Sequence, residues 1–123
     1  MAISLTNRAK NAALNGIVDD IDSGGSAGNL QILDASDNEL ATLPLTNPAF
    51  GAADSGSVSA NTITTDTTVN AGTASKFKVF TSGGSEVFQG TVTNTGGGGD
   101  LTLTNVNLFA GDRLAVSSFT ITI

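Results

Sequence analysis

The sequence predicts an all-β domain with one N-terminal helix, an antiparallel β-sandwich or barrel built from short hairpins. Three observations carry that prediction. Apolar residues recur with a helical period over residues 5–22 and with a period of two over most of the chain after residue 29. Short alternating runs are separated by clusters of Gly, Asp, Asn and Ser, the residues that suit turns. The 123 residues include no cysteine, so packing rather than disulfides must hold the fold. A chain of this length fits one domain over 1–123, with the helix at 5–22 and the β-sandwich at 29–123.

In the helical segment, Leu5, Ala9, Ala13, Ile17 and Ile21 stand four apart, with Leu14 and Val18 on the flank. Thr6 is placed to cap the N-terminus, and the glycines of "SGGSAG" at 23–28 end the helix. A stripe made mostly of small residues predicts close packing on a sheet. The runs "NLQILD", "ELATLPL", "SVSANTITT", "TTVN", "SKFKVF", "EVFQGTV", "LTLTNVNLF" and "RLAVSSFTITI" then read as strands. The last of them alternates to the final residue, which predicts a paired strand with Phe119, Ile121 and Ile123 on one face.

Residues 77–92, "FKVFTSGGSEVFQGTV", predict a hairpin turning at Gly83 and Gly84. Val79 then lies opposite Phe88 and Phe77 opposite Gly90, while Lys76 and Lys78 share the other face with Gln89 and Thr91. An ungapped echo lies earlier, where "LQILDASDNELATLPLTN" matches "FKVFTSGGSEVFQGTVTN" at Glu39 and Glu86 and at the closing Thr-Asn. There Leu30, Ile32, Ala41, Leu43 and Leu45 fall on one face and Gln31 and Thr42 on the other. Two such hairpins could pack as related halves of one sandwich. Duplication and two ordinary hairpins both fit this pattern.

Composition narrows the function. Eleven acidic residues against five basic ones give a net charge of −6, which repels nucleic-acid phosphates and anionic membranes. No stretch has the apolar run of a signal peptide or membrane span, so the expectation is synthesis into the cytoplasm. Without His, Cys, Trp or Tyr, the chain lacks the usual general base near neutral pH, thiolate chemistry and most aromatic platforms for sugars. The expectation is a protein that is not an enzyme and takes no cofactor.

Some constellations still have two readings. Asp20, Asp22, Gly25 and Gln31 follow a calcium-loop spacing that lacks its bidentate Glu, or they form a solvated helix end and glycine turn. Asp34, Asp37, Glu39 and Glu86 are carboxylates at hairpin tips, as turn formers or as a catalytic pair. "TNTGGGGDL" at 93–101 has no following helix or lysine, so it reads as a flexible loop tip rather than a phosphate cradle. Lys76 and Lys78, with Arg113, make either a small basic patch or an edge strand guarded against aggregation. In "TNPAFGAADSG", Phe50 next to Pro48 either plugs the core or docks on a partner. Pro48, Phe50, Lys76 and Lys78 are therefore the candidate partner-binding residues.

With "NAALNGIVDDID" and its Gly-Ser turn, "NPAFGAA", and the closing "LAVSSFTITI", the chain resembles small virion proteins of tailed bacteriophages of the head decoration, or capsid cement, type. The resemblance implies binding to the outer face of an assembled capsid, with the major capsid protein and neighbouring copies as partners. It implies a place on the phage head surface, reached from the host cytoplasm, and no catalytic residue. The competing class is a phage tail or fibre module that binds host surface glycans, against which the lack of Trp and Tyr counts.

Overall fold

The computed structural model describes residues 3–116 and 118–123. The one helix among the described residues, α1 (Asn7–Ile21), starts where Thr6 predicts: the Thr6 Oγ1 accepts the Ala9 N–H at 3.2 Å. The buried face differs from the expected stripe. Leu14, Val18 and Ile21 enter the core, whereas Leu5, Ala9 and Ala13 are exposed and Ile17 is half-buried. Leu14 and Val18 set the orientation, because burying them removes more apolar surface from water than burying Ala9 and Ala13 would.

The strands are β1 (Asn29–Leu33), β2 (Glu39–Pro44), β3 (Ser57–Ser59), β4 (Gly72–Thr73), β5 (Lys76–Phe80), β6 (Glu86–Asn94), β7 (Leu101–Leu103), β8 (Asn107–Leu108) and β9 (Thr120–Thr122). A curled five-stranded sheet in the order β2-β1-β5-β6-β7 forms the body, beside two-stranded ribbons β3-β9 and β4-β8. Its inner face (Leu30, Ile32, Ala41, Leu43, Phe77, Val79 and Val92) joins Leu14, Val18 and Ile21 in one core.

The sheet is mixed rather than antiparallel, because β7 runs parallel to β6. The expected flexible loop explains this. Only six residues, 95–100, connect the two strands, where a parallel connection usually needs a dozen or more. Gly96 and Gly98 take positive φ of 88° and 82°, and a side chain on Gly97 or Gly99 would strike Thr93, whose Oγ1 accepts the Gly99 N–H at 3.0 Å. The tetraglycine is thus a built reversal.

Several runs read as strands are shorter or irregular. Residues 67–70 form no strand, yet Val69 is buried and the Asn70 N–H donates to the Leu40 carbonyl at 2.8 Å. Of "SVSANTITT" only Ser57–Ser59 is strand, and among the described residues of "RLAVSSFTITI" only Thr120–Thr122. Alternation reports burial of every second residue, which a segment lying along a sheet edge also achieves.

The two hairpins do not face each other as halves of a sandwich; they are neighbours in one sheet, joined by antiparallel β1 and β5. Their equivalence is nonetheless close. The offset between them is 47 residues (29 to 76), and all the partner pairs recur at it: Asn29–Pro44 as Lys76–Thr91, Leu30–Leu43 as Phe77–Gly90, Gln31–Thr42 as Lys78–Gln89, Ile32–Ala41 as Val79–Phe88, and Leu33–Glu39 as Phe80–Glu86. The register shift recurs too, between Ile32 and Leu33 and between Val79 and Phe80.

The turns match in the same way. The Asp34 N–H donates to the Asn38 carbonyl at 3.0 Å, as Thr81 does to Ser85 at 2.9 Å. Asp37 and Gly84 both have positive φ, 67° and 89°. The side-chain oxygens of Asp34 and Thr81 accept the N–H of Asn38 and Ser85. Because Gln31 pairs with Lys78, its own counterpart, a local two-fold axis passes between β1 and β5.

Candidate interaction surfaces

The candidate residues scatter. Phe50 is core: it is 2% exposed, and its ring centroid lies 5.8 Å from that of Phe119. That corrects its place among surface contacts; its neighbour Pro48 is exposed. Phe119 is the hub of the aromatic cluster, 5.2 Å from Phe77 and 6.3 Å from Phe88.

Lys76 and Lys78 sit on β5, the middle strand, so they guard no edge. They point to the outer sheet face and pair with acids there, Lys76 with Asp37 at 2.5 Å and Lys78 with Glu86 at 3.3 Å. The Lys76 ammonium, by its hydrogen bond, holds the Asp37 carboxyl below the usual carboxylate range. A face so neutralised is a poor electrostatic anchor. Arg113 is exposed on a loop.

Other carboxylates serve the chain's own backbone. Asp34 accepts the side-chain amide of Asn38 and the N–H groups of Asn38 and Ser36, which lowers its pKa. Burial pushes the Asp66 carboxyl up, but hydrogen bonds from the N–H groups of Thr42 and Thr68 and the Thr68 hydroxyl outweigh it and leave the pKa lowered. Asp100 accepts from Thr91 and Asp112 from the Phe109 N–H. Among the described residues no group of three or more acidic side chains could hold a metal ion. Of the calcium-loop candidates, Asp20 is exposed and Asp22 accepts the Ala49 N–H at 2.9 Å.

Asp22 belongs to a set that sequence reasoning missed. Asn11 Oδ1 accepts the Gly56 N–H at 2.9 Å and Asn15 Oδ1 the Ala53 N–H at 3.2 Å. Together the three pin the loop at 49–56 along the helix. Residues 11, 15 and 22 lie on one helical face beside the buried stripe. The signal in the sequence is that polar periodicity, which apolar spacing alone does not reveal.

Among the described residues the exposed large apolar side chains are Ile3 and Leu5 before the helix, Phe109 at 68% exposure, and Ile123. A cleft of about 200 Å³ opens between β6 and β9, over Phe77, Phe88 and Phe119. Among the described residues no helix is long and apolar enough to cross a membrane. No protein-family model, curated protein or solved structure matches the chain.

Proposed function

We propose that the chain is a structural virion protein of the capsid decoration type, which binds the outer surface of an assembled phage head and stabilises it. Its partners are the major capsid protein and neighbouring copies of itself. The observation that carries this reading is the way the three stretches behind the resemblance fit together. Asn11, Asn15 and Asp22 of the helix grip the backbone at 49–56, and Phe50 of that loop packs on Phe119 of the closing segment. The resembling residues form one continuous structural unit rather than scattered likenesses. Consistent with a scaffold rather than a catalyst, the carboxylates of Asp22, Asp34, Asp66 and Asp100 accept backbone N–H groups.

Densitometry of purified virions tests the reading: hundreds of copies support decoration, and a handful or none removes it. A cement bound to the assembled lattice adds about 2.7 kcal/mol per site at a hundredfold excess over Kd, so stripped heads should rupture at lower temperature than re-decorated ones. The second reading, a tail or fibre module for host glycans, draws on the exposed ring of Phe109. The low copy number it requires separates the two.

A further inference from the structure

The equivalence of the hairpins supplies an internal control for their outer edges. Alternate residues of an antiparallel strand aim their backbone groups to opposite sides. On β2, Leu40, Thr42 and Pro44 aim away from β1, and the chain covers them itself: the Leu40 and Pro44 carbonyls accept the N–H groups of Asn70 and Thr64, both at 2.8 Å, and the Thr42 N–H reaches Asp66 Oδ2 at 2.9 Å. The covering segment, residues 63–70, buries Ile63 and Val69 and sets four threonines and Asp66 between them.

The counterparts on β6 are Val87, Gln89 and Thr91. Thr91 is covered by Asp100. The backbone N–H and carbonyl of Gln89 have no partner among the described residues, since β7 joins β6 only from Val92 onward. Across the cleft the same condition holds. The Phe119 carbonyl accepts the Ala60 N–H and the Ile123 N–H donates to Gly56, so Thr120 and Thr122 of β9 aim away from β3, and their N–H groups are also unpartnered among the described residues. The cleft between these two open edges is floored by Phe77, Phe88 and Phe119.

We infer that this cleft is a strand-acceptor slot, which takes an extended segment of a partner protein chain by main-chain pairing to β6, β9 or both. The segment that covers the equivalent edge defines its chemistry: apolar residues at intervals facing the aromatic floor, with threonine-like residues between them. Asp100, at the edge of the cleft, disfavours an acidic residue beside it. An unfilled slot leaves two strand edges and an aromatic floor open to water, whereas β2 shows the same backbone covered. The inference stands apart from the capsid reading, because it concerns the slot and not which virion part supplies the strand.

The test fills the slot from within the full chain. Appending Asn-Gly and then the sequence of residues 62–69, with threonine in place of the aspartate at 66 in the appended copy, after Ile123 makes a three-residue loop, Ile123-Asn-Gly, that closes on Thr122 and sets the copies of Ile63 and Val69 on the Phe119 and Ile121 face. A strand returning antiparallel to β9 must enter on the side away from β3, which is the slot. The expected result is a rise in Tm of about 5 °C or more, with amide exchange at Gln89, Thr120 and Thr122 slowed about tenfold or more. Gln89→Pro should cancel that gain while leaving the unextended chain's Tm nearly unchanged, because it removes an N–H that makes no bond. Unchanged Tm with fast amides in the extended chain overturns the inference. So does an unextended chain in which Gln89→Pro is strongly destabilising, for then that N–H is already engaged. An unextended chain that dimerises with the Gln89 amide protected assigns the slot to a second copy and overturns the partner-chain assignment.

Discussion

Gly90→Ala is the smallest change that probes how the sheet and the aromatic cluster were fitted together. A Cβ at Gly90 would lie 2.6 Å from two ring carbons of Phe77 and 2.9 Å from Asp100 Oδ2. Ordinary contact distance is near 3.5–4.0 Å, so the ring must retreat by about 1 Å. It has little room to do so. Phe77 is 2% exposed and held edge-on by Phe88 at 6.0 Å and Phe119 at 5.2 Å. Overpacking of this kind costs about 1–3 kcal/mol, or about 4–12 °C in Tm for a chain of this size. Strand geometry does not itself demand glycine, because the counterpart of Gly90 is Leu43, which faces Leu30.

Phe77→Leu should therefore relieve the clash by restoring the type of pair found in the first hairpin. Alone it trims a buried ring and costs about 1–2 kcal/mol. Combined with Gly90→Ala, the pair should be less destabilised than the sum by about 1 kcal/mol or more. Urea denaturation of the four proteins, with unchanged m-values, measures this coupling. Additive losses, or a neutral Gly90→Ala, would refute the wedge between Phe77 and Gly90.

Phe50→Ala should cost about 3–5 kcal/mol in the isolated chain, read as a large drop in denaturant midpoint; an unchanged melt with lost capsid binding would make Phe50 an interface anchor instead. Asp34, Asp37 and Asp66 have folded-state pKa values below the ordinary carboxylate value, so they contribute stability that is full above about pH 5 and lost as pH falls below about 4. Asp66→Asn should flatten that acid limb, and a limb of the same steepness in the variant counts against Asp66 as a contributor. Removing residues 121–123 deletes the pairing of Ile121 and Thr122 with Val58 and Ser57 and should lower Tm; a truncated chain that melts like the full one shows that β9 adds nothing to the free fold. Incubation with host polysaccharide and peptidoglycan should give no turnover, and turnover abolished at Asp34, Glu39 or Glu86 would replace the structural reading.

Local chemistry was legible in the sequence where neighbours along the chain decide the structure. The Thr6 cap and the pairing of Phe77 with Gly90 and Val79 with Phe88 follow from residue type and turn position, and the structure has them as read. Long-range placement was not legible. Nothing in "KFKVF" says whether β5 lies at an edge or in the middle of a sheet, since alternation describes two faces and is silent about lateral neighbours. The helix face was legible in part, for a related reason. Four-residue spacing picks out Leu5, Ala9, Ala13, Ile17 and Ile21; of these only Ile21 is buried, and Leu14 and Val18 on the flank complete the buried face. Of the candidate contacts, Phe50 had two equally local explanations, and only the position of Phe119, far along the chain, decides for the core.

The repeated hairpin shows why weak sequence likeness can hide strong structural equivalence. What the copies keep is backbone bookkeeping: ladder register, bulge, turn hydrogen bonds and one residue of positive φ, met by Asp37 in one and Gly84 in the other. Aspartate tolerates that conformation and glycine favours it, so either satisfies the turn without any identity between them. What the copies change is set by what lies against each. Leu43 faces Leu30, but Gly90 yields its space to the Phe77 ring because the aromatic cluster gathers on that side. Thr42 is covered by Asp66, but among the described residues nothing covers the backbone of Gln89, which borders the cleft beside β9. Divergence is thus concentrated where tertiary surroundings differ.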